Sequence, residues 1–319
     1  METVGEFLEE WRNGEPFVQA HTSGSTGKPK DIRLLKADMC ASARATNAFF
    51  SIGKESVVGM ALSTDYIAGK MMCVRAELAG ADIVAIKPTN NILLDGVGRP
   101  IDLFAIVPSQ IQSFIEHPEY AFKVRNLLIG GAAPTAEQCH MLTLAGYSAW
   151  ISYGMTETCS HVALARADDP LRVFSAMPGI SFETSSDGRL CINCSNFSVR
   201  RLETNDIVEL LSPTKFRWRG RADGVINSGG VKMIPEELEA LYAPAMHGLP
   251  FYVVGVPDAK WGQAVALVAE TDVDTLSKIE IELRAAIQDH RKLPKKYLAV
   301  SELPRTSNGK IRRCIIPET

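Results

Sequence analysis

Short apolar runs rich in Val, Ile and Leu recur between residues 56 and 154, each separated from the next by a stretch with helical or turn patterning. The runs cover residues 56–63, 81–87, 103–108, 126–131 and 149–154, and helix-like stretches cover Lys36–Phe50, Tyr66–Leu78 and Thr135–Leu144. Strands alternating with helices predict crossover units and a largely parallel sheet covered by helices. Runs without polar alternation fit strands buried on both faces. From about residue 181 to 219 the pattern changes to short strands broken by turn signals, SSDG and LSPT, which predicts an antiparallel β section. After residue 224 a helix (Pro235–Tyr242), strands at 251–256 and 264–270, a helix near 274–289 and a strand at 297–303 predict a small α+β unit. The expected architecture is α/β: a large N-terminal domain over residues 1–222, with a mostly parallel sheet plus a β-rich section, and a small mobile C-terminal α+β domain over 223–319.

A length of 319 residues suits about two domains. The formal net charge is only -3, so no broad basic face is expected for nucleic acid or an anionic membrane. An anionic substrate must instead meet locally placed donors. No apolar run reaches the roughly 18 residues that span a bilayer, and the acidic opening METVGEFLEEWRNGEP lacks a signal-peptide pattern. A cytoplasmic location is expected. Seven cysteines, an odd number scattered along the chain, fit a reducing compartment. Cys191 and Cys194 form a lone C-x-x-C in a strand-like segment, which favours two small buried thiols over a zinc or redox site. Histidines 117, 140, 161, 247 and 290 show no metal spacing and receive no role.

Chemistry concentrates first near the N-terminus. Thr22, Ser23, Gly24, Ser25, Thr26, Gly27, Lys28, Pro29 and Lys30 combine two glycines, four hydroxyls and two lysines. Glycines let backbone N–H groups curl around phosphate, hydroxyls donate, and lysines supply charge. The spacing departs from the P-loop of nucleotide triphosphatases, because the glycines are three apart and Lys28 precedes proline, not a hydroxyl residue.

This loop resembles the phosphate-loop signature of the adenylate-forming superfamily of acyl-CoA synthetases, adenylation domains and luciferases. Other motifs follow in order. Tyr153-Gly154-Met155-Thr156-Glu157 is similar to YGxTE; the resemblance implies that Tyr153 stacks on adenine, Thr156 contacts the α-phosphate and Glu157 holds Mg²⁺. Gly130, Gly131, Ala132, Ala133 and Pro134 resemble the segment beside adenine and the acyl group. Thr204-Asn205-Asp206 resembles TGD, whose aspartate meets the ribose; Asn replaces Gly, and asparagine tolerates the positive φ of a turn. Gly220-Arg221-Ala222-Asp223 resembles GRxD, which implies that Arg221 meets the ribose and Asp223 is the hinge between domains. Asn227–Glu237 matches the segment after the hinge, with Gly229, Gly230 and Lys232 in the loop that approaches the site during thioester formation. Pro304–Ile311 is similar to P-[KR]-T-x-x-G-K, which implies that Lys310 is the catalytic lysine.

Relatives normally carry a long portion before the phosphate loop, so the resemblance implies that one subdomain, and one wall of the acyl pocket, is missing here. Arg75 stands six residues after Gly69, which resembles the o-succinylbenzoate–CoA ligases of menaquinone biosynthesis. There an arginine meets the second carboxylate of the substrate, so Arg75, or else Lys70, is the expected counter-cation. The implied reaction uses ATP and Mg²⁺ to make an acyl-adenylate, then passes the acyl group to coenzyme A. A stand-alone module loading a carrier protein and a non-catalytic nucleotide-binding homologue stay open as alternatives.

Overall fold

The structure, a computed structural model, describes residues 2–21, 31–305 and 311–315. By their contacts these residues form two compact units. The first takes in the chain up to Glu183, with Cys191–Leu202 and Leu210–Arg217; the second takes in Thr184–Leu190, Glu203–Glu209 and the chain from Trp218 on.

The first unit opens with helix α1 (Val4–Arg12), followed by β1 (Phe17–His21) and β2 (Asp31–Leu35), which pair antiparallel. Thr3 caps α1: its hydroxyl accepts from the Glu6 amide at 3.2 Å, and the Glu6 carboxylate accepts from the Thr3 amide at 2.7 Å. Such a reciprocal cap satisfies two otherwise orphaned donors. Then come α2 (Lys36–Phe50), β3 (Val57–Met60), α3 (Ile67–Ala79), β4 (Asp82–Ala85), β5 (Leu103–Ile106), α4 (Ile111–Glu116), β6 (Leu127–Ile129), α5 (Ala136–Leu144) and β7 (Ala149–Gly154). β4, β3, β5, β6 and β7 lie side by side and pair parallel. β3, β5 and β6 are buried along their whole length, as their unbroken apolar runs dictate.

At β7 the sheet changes character. β8 (His161–Arg166) pairs antiparallel with β7, and β9 (Val173–Ala176) antiparallel with β8. The sheet continues through β13 (Lys215–Arg221), β12 (Arg201–Ser212), β11 (Arg189–Cys194) and β10 (Ile180–Thr184). The expected antiparallel section is therefore an extension of the parallel sheet.

The second unit has its own five-stranded sheet: β14 (Ile226–Ser228), β15 (Val231–Met233), β16 (Phe251–Asp258), β17 (Gly262–Glu270) and β18 (Lys296–Val300). α6 (Pro235–Tyr242) and α7 (Val273–Ala286) pack Leu238, Tyr242, Leu276, Ile279 and Leu283 against Val253, Val265 and Leu267. No helix among the described residues is long and apolar enough to cross a membrane.

Candidate active site

Neighbouring parallel strands deliver two of the motifs. Gly130–Pro134 leaves the carboxyl end of β6, and Met155–Glu157 leaves the carboxyl end of β7. Ser152 Oγ ties the two ends together by donating to the Ile129 carbonyl at 2.9 Å. In open α/β sheets, ligands sit beyond the carboxyl ends of the strands, where the strand order or direction switches. β7 is that switch, because its other neighbour, β8, runs antiparallel.

The β7–β8 register breaks between Tyr153 and Gly154, and bulges of this kind re-aim side chains beside sites. Tyr153 is half-buried, and its ring stands edge-on to Phe216 at 5.0 Å and to Phe174 at 5.7 Å. Phe174 and Phe216 stack at 5.3 Å, and Phe182 meets Phe216 at 4.8 Å. Phe174 and Phe216 thus back the ring expected to stack on a base, with Phe182 behind Phe216. A Cβ at Gly154 would lie 2.2 Å from the Ser160 carbonyl oxygen, so the following turn closes only over glycine. Within that turn Thr158 Oγ1 lies 2.8 Å from the Ser160 carbonyl and 3.1 Å from the Met155 amide. Thr156 is half-exposed and Glu157 exposed. Gly131, with φ of 81°, and Ala132 lie just beyond β6, one exposed and the other half-exposed.

In the second unit Asp206, Arg221 and Asp223 come together. Trp218 Nε1 donates to Asp206 Oδ1 at 3.0 Å, and Arg221 Nη1 stands 3.8 Å from the same oxygen. Arg221 also donates from Nε and Nη2 to the two carboxylate oxygens of Asp223, at 3.1 and 3.0 Å. That guanidinium holds the Asp223 carboxyl below its usual range. The turn expected at Asn205 is absent: Thr204, Asn205 and Asp206 lie inside β12, and Asn205 has no positive φ. Extended backbone accepts asparagine where a turn would have favoured glycine. Gly229 and Gly230, with φ of 58° and 85°, form the two-residue turn of the β14–β15 hairpin, in which Ser228 pairs with Val231. Positive φ at both positions is the geometry that glycine serves best. Lys232 projects exposed from β15, opposite Asn227.

Two cations of α3 behave differently from each other. Lys70 is buried, with its ammonium 2.8 Å from Glu2 and 3.2 Å from Glu10, and lies over the Phe7 ring at 4.6 Å. Two carboxylates already neutralise it, so Lys70 pins α1 to α3 and is withdrawn as a substrate cation. Arg75 is only 2% exposed. Its Nη2 donates to Ser160 Oγ at 2.6 Å, its Nη1 to Met72 Sδ at 3.2 Å, and its Nε has no partner. No carboxylate pairs with it among the described residues. Burial pulls its pKa down to about 9, which still leaves it charged at neutral pH.

Ser160 and His161 also belong to this site, although histidine spacing in the sequence points to no role for them. Their signal was position, directly behind the Tyr153–Glu157 motif. Thr22, Ser23, Gly24, Ser25, Thr26, Gly27 and Lys28, and Lys310, lie outside the described residues. Their described flanks are the β1–β2 pair, with His21 opposite Asp31, and an antiparallel bridge between Arg305 and Ile311. Among the described residues no cluster of three or more metal-ligating side chains exists. Glu157 offers one exposed carboxylate, and Mg²⁺ commonly binds through one or two carboxylates and the phosphates of its substrate.

The first unit thus carries two of the motifs at the strand where its parallel sheet turns antiparallel, and the second is a small α+β unit. Residues 6–182 match the AMP-binding enzyme family and residues 237–310 match the AMP-binding enzyme C-terminal domain. The chain belongs to the AMP-binding enzyme family, and its class is that of the adenylate-forming acid–thiol ligases. It is 27% identical to a 2-succinylbenzoate–CoA ligase of Enterococcus faecalis over 92% of this chain and 67% of that one. It is 33% identical to an acyl-CoA synthetase (AMP-forming)/AMP-acid ligase II-like protein from Dyadobacter fermentans, with a TM-score of 0.63, covering 96% of this chain and 90% of that one. The fold also matches O-succinylbenzoate coenzyme A synthetase from Bacillus subtilis, solved with ATP and magnesium ion, with a TM-score of 0.77 at 21% identity, covering 92% of this chain and 68% of that one.

Proposed function

We propose that this chain condenses a dicarboxylic acid of the o-succinylbenzoate type with ATP, releasing pyrophosphate, and then transfers the acyl group from the adenylate to coenzyme A. The observation that carries the choice of acid is Arg75. A buried cation without a counter-charge is costly, and such groups are normally paired. A substrate with two carboxylates supplies the missing partner with one of them while the other reacts. The names of the E. faecalis and B. subtilis relatives point to the same acid.

In this scheme Tyr153, backed by Phe216 and Phe174, receives adenine, and Thr156 meets the α-phosphate. Asp206 and Arg221 hold the ribose. The glycine- and hydroxyl-rich loop at 22–28 cradles the phosphates, and Lys310 stabilises charge at phosphorus as the carboxylate attacks. Glu157 would hold Mg²⁺, whose charge neutralises the phosphates when bound. The small unit then turns about Asp223, which withdraws Lys310 and brings Gly229, Gly230 and Lys232 forward for thioester formation. One site can host two half-reactions through hinge motion of this kind.

The test is pyrophosphate release across aromatic, fatty and amino acids, with o-succinylbenzoate included, followed by thioester formation on free coenzyme A or on a carrier protein. Preference for o-succinylbenzoate, lost in Arg75→Met, supports the reading. Equal turnover of monocarboxylic acids overturns the substrate, and transfer to the carrier alone overturns the acceptor.

A further inference from the structure

Behind Arg75 a chain of hydrogen bonds runs inward, and its direction can be worked out atom by atom. Thr46 Oγ1 donates its only hydrogen to the Ser42 carbonyl at 3.1 Å. Toward His161 Nε2, 3.0 Å away, the same oxygen must therefore accept, which places a hydrogen on Nε2. His161 is 6% exposed, and burial, with the nearby Arg75 charge, holds its pKa well below 6.5, so the ring is neutral. Its Nδ1 is then an acceptor, and the group that faces it is Ser160 Oγ at 3.3 Å. With its hydrogen turned to Nδ1, Ser160 presents a lone pair to Arg75 Nη2 at 2.6 Å. Ser42 carbonyl, Thr46, His161, Ser160 and Arg75 thus form one polarised line.

We infer that His161, acting through Ser160, is a positioning residue that holds the Arg75 guanidinium ready for the second carboxylate of the acid. The inference rests on the proposed pairing of Arg75 with that carboxylate. Nδ1 fixes the Ser160 rotor with its hydrogen turned away from the guanidinium, so that a lone pair is held toward Nη2. Without that acceptor the hydroxyl is free to rotate, and the lone pair facing the guanidinium is no longer fixed in place. Arg75 keeps Nε–H and its remaining Nη hydrogens for the incoming anion, and Nε has no other partner. A charge-assisted hydrogen bond of this kind is among the stronger ones a side chain can lose.

Two substitutions separate positioning from packing. His161→Asn leaves an amide oxygen within reach of Ser160, in place of Nδ1. His161→Gln reaches toward Thr46 and leaves Ser160 without an acceptor. The readouts are KM and kcat for o-succinylbenzoate and for its two single-carboxylate analogues, with a thermal melt of each variant. In His161→Gln, KM for o-succinylbenzoate should rise roughly tenfold, with kcat and the analogues nearly unchanged, while His161→Asn stays close to the parent enzyme. Ser160→Ala should repeat the Gln result, and it replaces that variant if His161→Gln fails to fold. Equal shifts in the Asn and Gln variants, or none in either, overturn the positioning role while Arg75→Met still impairs the acid. An Arg75→Met enzyme with unchanged KM overturns the substrate reading, and the relay with it.

Discussion

Arg221 clasps Asp223 with both arms of its guanidinium, Nε to Oδ1 at 3.1 Å and Nη2 to Oδ2 at 3.0 Å, and reaches within 3.8 Å of Asp206 with the third nitrogen. The expected ribose ligand and the expected hinge thus share one cation. The Arg221–Asp223 pair is two residues apart and partly exposed, so its net contribution to stability is small, about 1 kcal/mol or less.

Asp223→Asn should therefore leave the melting temperature almost unchanged. If Asp223 is the hinge, the substitution should slow thioester formation from supplied acyl-adenylate by more than it slows pyrophosphate release. Single-turnover measurements of the two halves decide this, and equal losses would remove the hinge role.

Phe216 is wholly buried and touches Tyr153, Phe174 and Phe182. Truncating such a side chain costs about 3–5 kcal/mol. Phe216→Ala should accordingly lower the denaturation midpoint sharply. Because it also removes the support of the Tyr153 ring, KM for ATP should rise more than KM for the acid. A rise confined to the acid would disconnect Tyr153 from the nucleotide.

Much of this arrangement could be read from the chain. The runs at 103–108, 126–131 and 149–154 became β5, β6 and β7, and Lys36–Phe50 and Pro235–Tyr242 match α2 and α6. Local periodicity carries that information because burial on both faces of a strand, or one face of a helix, selects residues directly. The fate of each charge was not legible. Lys70 and Arg75 lie five residues apart on one helix and look alike in sequence, yet Glu2 and Glu10 reach only the first. Those contacts span 68 and 60 residues, and no short-range pattern encodes them. His161 was hidden for the same reason, since Thr46, its partner, lies 115 residues away.

Gly154 is held by geometry, not by conformational freedom, because a Cβ there would meet the Ser160 carbonyl oxygen at 2.2 Å and the His161 Cα at 2.6 Å. Both are backbone, so neither can swing aside. Gly154→Ala should push the Met155–Ser160 turn outward, at an overpacking cost of about 1–3 kcal/mol. Pyrophosphate release should fall at least tenfold while circular dichroism stays native. Unchanged activity would mean that the turn does not bear on the reaction.

Cysteine accessibility checks the reading of Cys191 and Cys194. Both are buried thiols on β11, as are Cys73, Cys139 and Cys159 elsewhere, while Cys40 and Cys314 are half-exposed. Burial pushes Cys73 and Cys159 up to about 12 and Cys194 up to about 11, and a protonated thiol is a poor nucleophile. A thiol reagent should label Cys40 and Cys314 readily in the native protein and all seven cysteines only after denaturation. Fast labelling of Cys191 or Cys194 would reopen the redox reading.

His161 gives the protein an acid-sensitive stability with a calculable window. Its folded pKa lies well below the ordinary 6.5 because burial, and then the Arg75 charge, disfavours the imidazolium. Below pH 6.5 the unfolded chain takes up a proton that the folded one refuses, so stability is present above that pH and falls as pH drops. The slope approaches about 1.4 kcal/mol per pH unit, which gives a loss of about 1 kcal/mol between pH 7 and 5.5. Carboxylates held below their usual range, such as Asp65 and Asp223, lose their stabilisation only at lower pH, where unfolded aspartates begin to protonate. Unfolding free energies from urea titrations between pH 7 and 5.5 should fall for the parent protein and fall by about 1 kcal/mol less for His161→Asn, which has no proton to gain. Parallel slopes in the two proteins would mean that folded His161 takes up its proton as readily as the unfolded chain does, and Nδ1 would then donate to Ser160 instead of accepting from it.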